Sequence, residues 1–217
     1  MSVIPHRFQF RLSLPVESRT GLPKKGAKLL GLPKSCTLAD IGELDGAPAF
    51  ASLRAAWNSR GLGFRLEVSG KTLPAACDLS SPAESDGLQV WIDTRNTQSV
   101  HRATRFCHHF CCLPSGGGAK KDKPSAVQLP IARSRDEAKL ASPKSIPVQL
   151  EQKKDGYVLE TWLAAELLNG FDPDASRQLG FYYCVRDAEL GEQFLTVGRE
   201  FPFAHDPSLW STLELQS

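Results

Sequence analysis

No stretch of the 217-residue sequence approaches the roughly 18 consecutive apolar residues that a bilayer-crossing helix needs, so no membrane partner is expected. Met1 is the only methionine, which removes the methionine ligand that some haem sites use. Between Met1 and Leu14 the apolar residues are interrupted by Pro5, His6, Arg7 and Arg11, so the apolar centre and small-residue cleavage site of a secretory leader are missing. No Asn-x-Ser/Thr sequon occurs, and a cytoplasmic location is the expectation. An excess of one charge is lacking too. With 26 Lys+Arg against 24 Asp+Glu the net charge is +2, too little for phosphate neutralisation to dominate, so no nucleic-acid partner is expected.

The six cysteines, Cys36, Cys77, Cys107, Cys111, Cys112 and Cys184, are too few and too irregularly spaced for a disulfide scaffold and are expected as reduced, mostly buried thiols. Signatures of catalysis are also missing: there is no Gly-x-Ser-x-Gly elbow and no His-Glu-x-x-His helix. Gly70-Lys71-Thr72 has Arg65 where a phosphate-binding loop requires its first glycine, and is expected as a strand-end turn. Asp86 and Asp93 would lie about 23 Å apart on an extended strand, whereas paired glycosidase carboxylates stand roughly 5 to 9.5 Å apart. A protein that is not an enzyme, with no catalytic residues, is therefore expected.

What the sequence has in quantity is period-2 alternation. Phe8–Leu14, Phe50–Trp57, Gly61–Gly70, Gly87–Asp93, Thr104–Leu113, Val148–Gln152, Gly156–Leu163, Leu179–Asp187 and Trp210–Leu215 all read as strands, with a shorter one over Glu192–Val197. Leu62, Phe64, Leu66 and Val68 alternate with Arg65 and Glu67, and Leu88, Val90 and Ile92 alternate with Gln89, Trp91 and Asp93. Asp155-Gly156 marks a hairpin turn. Ala164–Leu168 is the plausible helical turn. About ten turn-separated strands with almost no helical periodicity predict a single all-β domain over 1–217: a two-sheet antiparallel β-sandwich of jelly-roll or immunoglobulin-like type with at most one or two short helical turns. Residues 15–45 are expected as an irregular excursion, and 114–126 as a flexible Gly/Lys-rich loop.

Four segments taken together carry a resemblance. Gly61–Lys71, Ser85-Asp-Gly-Leu-Gln-Val-Trp-Ile-Asp93, Gly156-Tyr-Val-Leu-Glu-Thr-Trp-Leu-Ala164, and the pair Leu179–Asp187 and Pro207–Leu215 resemble, in order and spacing, the strands of type 9 carbohydrate-binding modules within the wider DOMON-like superfamily. Ala164 stands where that family usually has proline. The resemblance spans residues 50–215 and implies two packed antiparallel sheets, sugar binding between aromatic rings in some members, and structural calcium in some.

If the strands are neighbours as the family fold implies, one outward face collects Arg65, Glu67, Gln89, Trp91, Glu160 and Trp162, joined by Arg105 and His109. Such a face suits a saccharide, because indole rings stack on the apolar side of a pyranose while Arg, Gln and Glu hydrogen-bond its hydroxyls. The expected ligand-binding set is thus Arg65, Gln89, Trp91, Arg105, His109, Glu160 and Trp162. The alternative for Trp91 and Trp162 is packing beneath the Gly-rich loops. A structural or protein-interaction domain, using the same face or a free sheet edge to meet another protein, stays open beside the saccharide reading.

The run Arg105-Phe-Cys-His-His-Phe-Cys-Cys112 keeps a metal- or haem-binding reading open as a third. On a strand Cys107 and Cys111 would be about 13 Å apart, too far to share one ion, leaving His109 with one of them. Phe106, His108 and Phe110 are expected to face inward. No Cys-x-x-Cys-His attachment exists for haem. For calcium, Asp86, Asp93, Asp172 and Asp174 are candidates by type, although Asp172-Pro-Asp174 reads more simply as a turn. No cofactor is required by any of this.

Overall fold

The computed structural model describes residues 6–26, 28–47 and 49–217. Among these residues eleven strands build two sheets. The smaller runs β2 (Ala51–Asn58), β3 (Gly61–Ser69), β8 (Gly156–Ala164) and β7 (Val148–Lys153) in the order β2-β3-β8-β7. The larger contains β1 (Ser13–Glu17), β11 (Ser211–Gln216), β9 (Gln178–Asp187), β4 (Gly87–Asp93), β5 (Cys107–Gly117) and β6 (Lys123–Leu129) in the order β1-β11-β9-β4-β5-β6, with β10 (Gly191–Phe194) also pairing β9. All pairings are antiparallel except β1 with β11. This is the two-sheet β-sandwich that the alternation predicts.

Side-chain alternation sets which residues meet between the sheets. Leu62, Phe64, Leu66 and Val68 of β3 point inward, as do Leu88, Val90 and Ile92 of β4, and all are buried. Phe64 stacks on Phe181 with ring centroids 5.6 Å apart, which joins the two sheets at their centre. Gly87 and Gly156 each open a strand at positive φ, and a Cβ there would stand 2.2 Å from the Cys112 carbonyl oxygen or 2.0 Å from that of Val68. Only glycine lets the neighbouring backbone approach so closely.

Several elements differ from expectation. Phe8–Leu14 is not a strand: His6–Gln9 forms a 3-10 turn, Phe8 stacks on Phe201, and pairing starts at Ser13. The reason is the partner. The free edge of β11 takes Leu14 and Val16 opposite Leu213 and Leu215 and buries both, and Pro15 costs no ladder bond on an edge strand. Residues 114–126 are not an irregular loop. Strand β5 runs on to Gly117 and β6 begins at Lys123, so Gly118–Asp122 alone turns the hairpin. The described residues contain seven 3-10 turns and no α-helix, more turns than the one or two expected. Three of them open on a proline (Pro82, Pro143, Pro207), whose fixed φ suits the first position of a single turn that cannot propagate. Among the described residues no helix is long and apolar enough to cross a membrane. The six cysteines are free thiols.

Candidate functional site

The residues expected on one open face lie on opposite outer surfaces of the sandwich. Arg65, Glu160 and Trp162 sit on the outer side of the four-stranded sheet, where Arg65 pairs across the strands with Glu160. Gln89, Trp91 and His109 sit on the outer side of the seven-stranded sheet. The shared face is therefore corrected: β3 and β8 belong to one sheet and β4 and β5 to the other, so the same alternation aims their outward residues in opposite directions.

Both groups are also covered. Over the four-stranded sheet, residues 20–26 and 28–36 fold back, and Leu22, Leu30, Leu32 and Cys36 enclose Trp162 and Ala56 in a second apolar cluster. The Glu160 carboxylate anchors this cover by accepting from the backbone N–H groups of Leu30 and Gly31, both at 2.9 Å, while Arg65 Nε approaches it at 3.3 Å. Arg65 also donates to Glu67 at 3.0 Å, and this hydrogen bond, helped by the arginine charge, holds that carboxyl below its usual range despite the opposing effect of burial. Over the larger sheet, Phe203 packs edge-on to Trp91 at 5.4 Å and stacks on Tyr182 at 4.5 Å. Trp91 is 2% exposed and stacks on His109. Gln89 donates to the Ala83 carbonyl at 2.9 Å, which leaves its Oε1 to accept from His109 Nε2 at 3.1 Å. The tryptophan reading that the structure realises is packing beneath loops, not display.

The cysteine- and histidine-rich run does not gather a metal site. His108 and His109 point to opposite sides of β5, and no group of three or more His, Cys, Asp or Glu side chains among the described residues is placed to hold an ion. Burial pushes the Cys107 and Cys112 thiols up to about 12 and Cys111 well up, so none offers a thiolate near neutral pH.

The carboxylates considered for calcium do not converge. Asp93 accepts from the N–H groups of Arg95 and Thr97, and Asp172 from those of Asp174 and Ala175. Asp86 accepts from Ala76 and Ala188 N–H and faces the Lys71 ammonium at 3.3 Å. Lys71 Nζ reaches Asp187 at 2.8 Å as well, so a buried protein cation already occupies the point between these two carboxylates. Burial works to lower the Lys71 pKa, but Asp187 and then Asp86 outweigh it and the ammonium is held above its ordinary value. These residues do not fit calcium.

The accessible chemistry lies at the end of the sandwich where β5 begins and β8 ends. A cavity of about 730 Å³ opens there, lined by His108, Arg105, Glu137, Lys139, Leu140, Ala141, Ser142, Ser145, Glu166, Leu167 and Asn169. Two cationic and two anionic side chains face it among hydroxyl and amide groups, and Leu140, Ala141 and Leu167 give it an apolar part. Of the residues expected from sequence, only Arg105 is here.

His108 is 1% exposed, and its protonation is fixed by its neighbours. The Ala141 N–H donates to Gln128 Oε1 at 2.8 Å, which turns the Gln128 amide nitrogen toward His108 Nδ1 at 3.1 Å. Nδ1 must therefore accept, and the ring proton resides on Nε2. Burial pushes the imidazole down to about 4, opposed slightly by the Asn169 carbonyl, so the ring is neutral near pH 7. That carbonyl already accepts from the Thr94 hydroxyl at 2.6 Å and makes only a loose contact with the ring, so His108 Nε2 has no hydrogen bond of normal geometry among the described residues. An unsatisfied buried donor costs about 1–3 kcal/mol, so a group able to accept from it is favoured at this spot. Sequence reading placed His108 inward but missed its role, because the signal lies in Gln128 and Ala141, remote in sequence.

No family model and no curated protein matches the sequence. Among solved structures, a family 9 carbohydrate-binding module from Caldicellulosiruptor kristjanssonii in complex with cellotriose superposes with a TM-score of 0.62 at 13% identity, over 95% of this chain and 94% of that one. The same kind of module from that organism in complex with glucose gives 0.63 at 14% identity, over 94% and 96%. The chain thus has the fold of family 9 carbohydrate-binding modules.

Proposed function

We propose that the protein is a non-catalytic saccharide-binding domain whose ligand enters the cavity above His108, at the open end of the sandwich. The observation that carries this is the neutral, buried imidazole whose Nε2–H makes no hydrogen bond of normal geometry to the protein, at the wall of a cavity large enough for a sugar ring. A hydroxyl or ring oxygen is a suitable acceptor. Around it Arg105, Lys139 and Asn169 donate, Glu137 and Glu166 accept, and Ser142 and Ser145 do both, the mixture that a polyhydroxylated ligand needs. Leu140, 48% exposed, and Leu167 offer an apolar surface to the face of a pyranose. The fold shared with modules seen holding cellotriose and glucose supports the same reading.

The test is a panel of glucans, xylans, mannans and acidic glycans read by calorimetry on the wild type and on Ser142→Trp. Ser142 is exposed at the cavity rim and its side chain makes no capping bond, so the indole blocks the mouth without disturbing the core. Binding of at least one glycan, weakened about tenfold or more by the block, is the expected result. Silence from every glycan, or binding that the block leaves unchanged, removes the proposal.

A further inference from the structure

We infer, resting on the saccharide reading above, that the preferred saccharide carries an anionic substituent, a carboxylate or a sulfate ester, held by Arg95, Arg105 and Arg135 beside Phe106. These side chains line a depression of about 590 Å³ that adjoins the His108 cavity through Arg105, which contributes to both. A ligand seated on His108 therefore meets the arginines with its next substituent.

The arrangement is charged and held in place. The chain as a whole carries only +2, yet Arg95, Arg102, Arg105, Arg133 and Arg135 gather at this end. Asp136 is the sole acid lining the depression, and it meets Arg105 at 3.9 Å with both groups largely exposed, a contact of little strength. The Arg95 and Arg135 guanidinium groups have no carboxylate partner among the described residues. Arg95 Cζ lies 4.5 Å and Arg105 Cζ 5.2 Å from the Phe106 ring centre, cation–π contacts that position the two guanidinium groups without neutralising them. Phe106 is itself wedged against Gly170, where a Cβ would come within 2.9 Å of the ring. The segment carrying Arg135 is pinned by Arg135 N–H to the Ala103 carbonyl at 2.7 Å and by Arg102 to the carbonyls of Arg133 and Ser134 at 3.0 and 3.3 Å. The two guanidinium groups held on Phe106, with that of Arg135 carried beside them on a pinned backbone, suit the paired oxygens of a carboxylate or sulfate, and a neutral sugar gains nothing from them.

The experiment compares, by calorimetry at low and high salt, a uronate-containing oligosaccharide, a sulfated one, their neutral parent of the same linkage, and inorganic sulfate. The charged ligands are expected to bind at least about tenfold more tightly than the parent, with the advantage shrinking as salt rises. Either charged arm alone supports the inference and names the substituent. Arg95→Gln/Arg135→Gln, two exposed substitutions, is expected to erase the advantage and leave affinity for the parent and the melting temperature unchanged. Equal affinity for charged and neutral ligands, or an advantage that survives the double variant, overturns the inference while leaving saccharide binding intact. Inorganic sulfate binding as tightly as the sulfated saccharide also overturns it. Absence of binding by any saccharide removes the underlying reading instead.

Discussion

Gln128 donates to His108 Nδ1 across neighbouring strands at 3.1 Å, and the orientation of that amide is imposed by the Ala141 N–H on its other end. The pair converts an ambiguous imidazole into a directed donor. Gln128→Leu removes the donor to Nδ1 and strands the Ala141 N–H, which should cost about 1–3 kcal/mol in urea unfolding. Nitrogen chemical shifts of the imidazole should then lose the pattern of a single tautomer with the proton on Nε2. An unchanged pattern would mean that Gln128 does not set the tautomer.

Two histidines are buried in neutral form, His108 near 4 and His109 near 3, both through burial. The sign of the pH effect follows. Unfolded imidazoles take up protons below about 6.5 while the folded ones do not, so the unfolded state binds more protons and stability falls as pH falls from about 6.5 toward 4. Each ring contributes a slope of up to about 1.4 kcal/mol per pH unit in that window. Urea midpoints between pH 7.5 and 5 read it before carboxylates begin to titrate, and His109→Asn should lose roughly half the slope. A flat profile over this range would refute the neutral burial of both rings.

Lys71 between Asp86 and Asp187 acts as a built-in cation. Lys71→Met leaves two buried carboxylates uncompensated and should destabilise the fold by about 3–5 kcal/mol, whereas Lys71→Met combined with Asp86→Asn and Asp187→Asn should recover part of the loss. Chelator and added calcium should leave the wild-type melting temperature unchanged. A calcium-dependent rise in that temperature would place a metal where the ammonium is assigned.

Glu160 fastens the 28–36 segment over Trp162 through Leu30 and Gly31. Glu160→Ala frees one buried and one half-buried N–H group and should cost about 2–3 kcal/mol. Faster tryptic cleavage near Lys24 and Lys25 and a red-shifted tryptophan emission would show the segment lifting. Cleavage as slow as in the wild type would show that the apolar cluster alone holds it.

The legible part of this architecture was local. Leu62 to Val68 and Leu88 to Ile92 announce their strands by alternation, and β4 begins and ends where Gly87 and Asp93 suggest, because side-chain period and turn residues act within a few positions. Coverage was not legible. Whether Trp91 and Trp162 are displayed depends on Phe203 and on Leu30, the latter bonded to Glu160 across 130 positions, and alternation carries no information about such contacts. The sidedness of the two sheets was hidden for the same reason, since it rests on which strands pair. Of the expected ligand-binding residues, Arg105 lines the His108 cavity, and it precedes β5 in a segment whose direction no periodicity fixes.

Saccharide binding above His108 is tested most directly by the imidazole nitrogen–proton spectrum recorded while the best-bound glycan is added. The His108 Nε2–H resonance should shift and become protected from exchange, with the backbone amides of Arg105, Ser142 and Asn169 moving alongside and the His109 ring unaffected. Shifts centred instead on Trp91 and His109 or on Trp162 and Glu160, with the His108 signal unmoved at saturation, would contradict it.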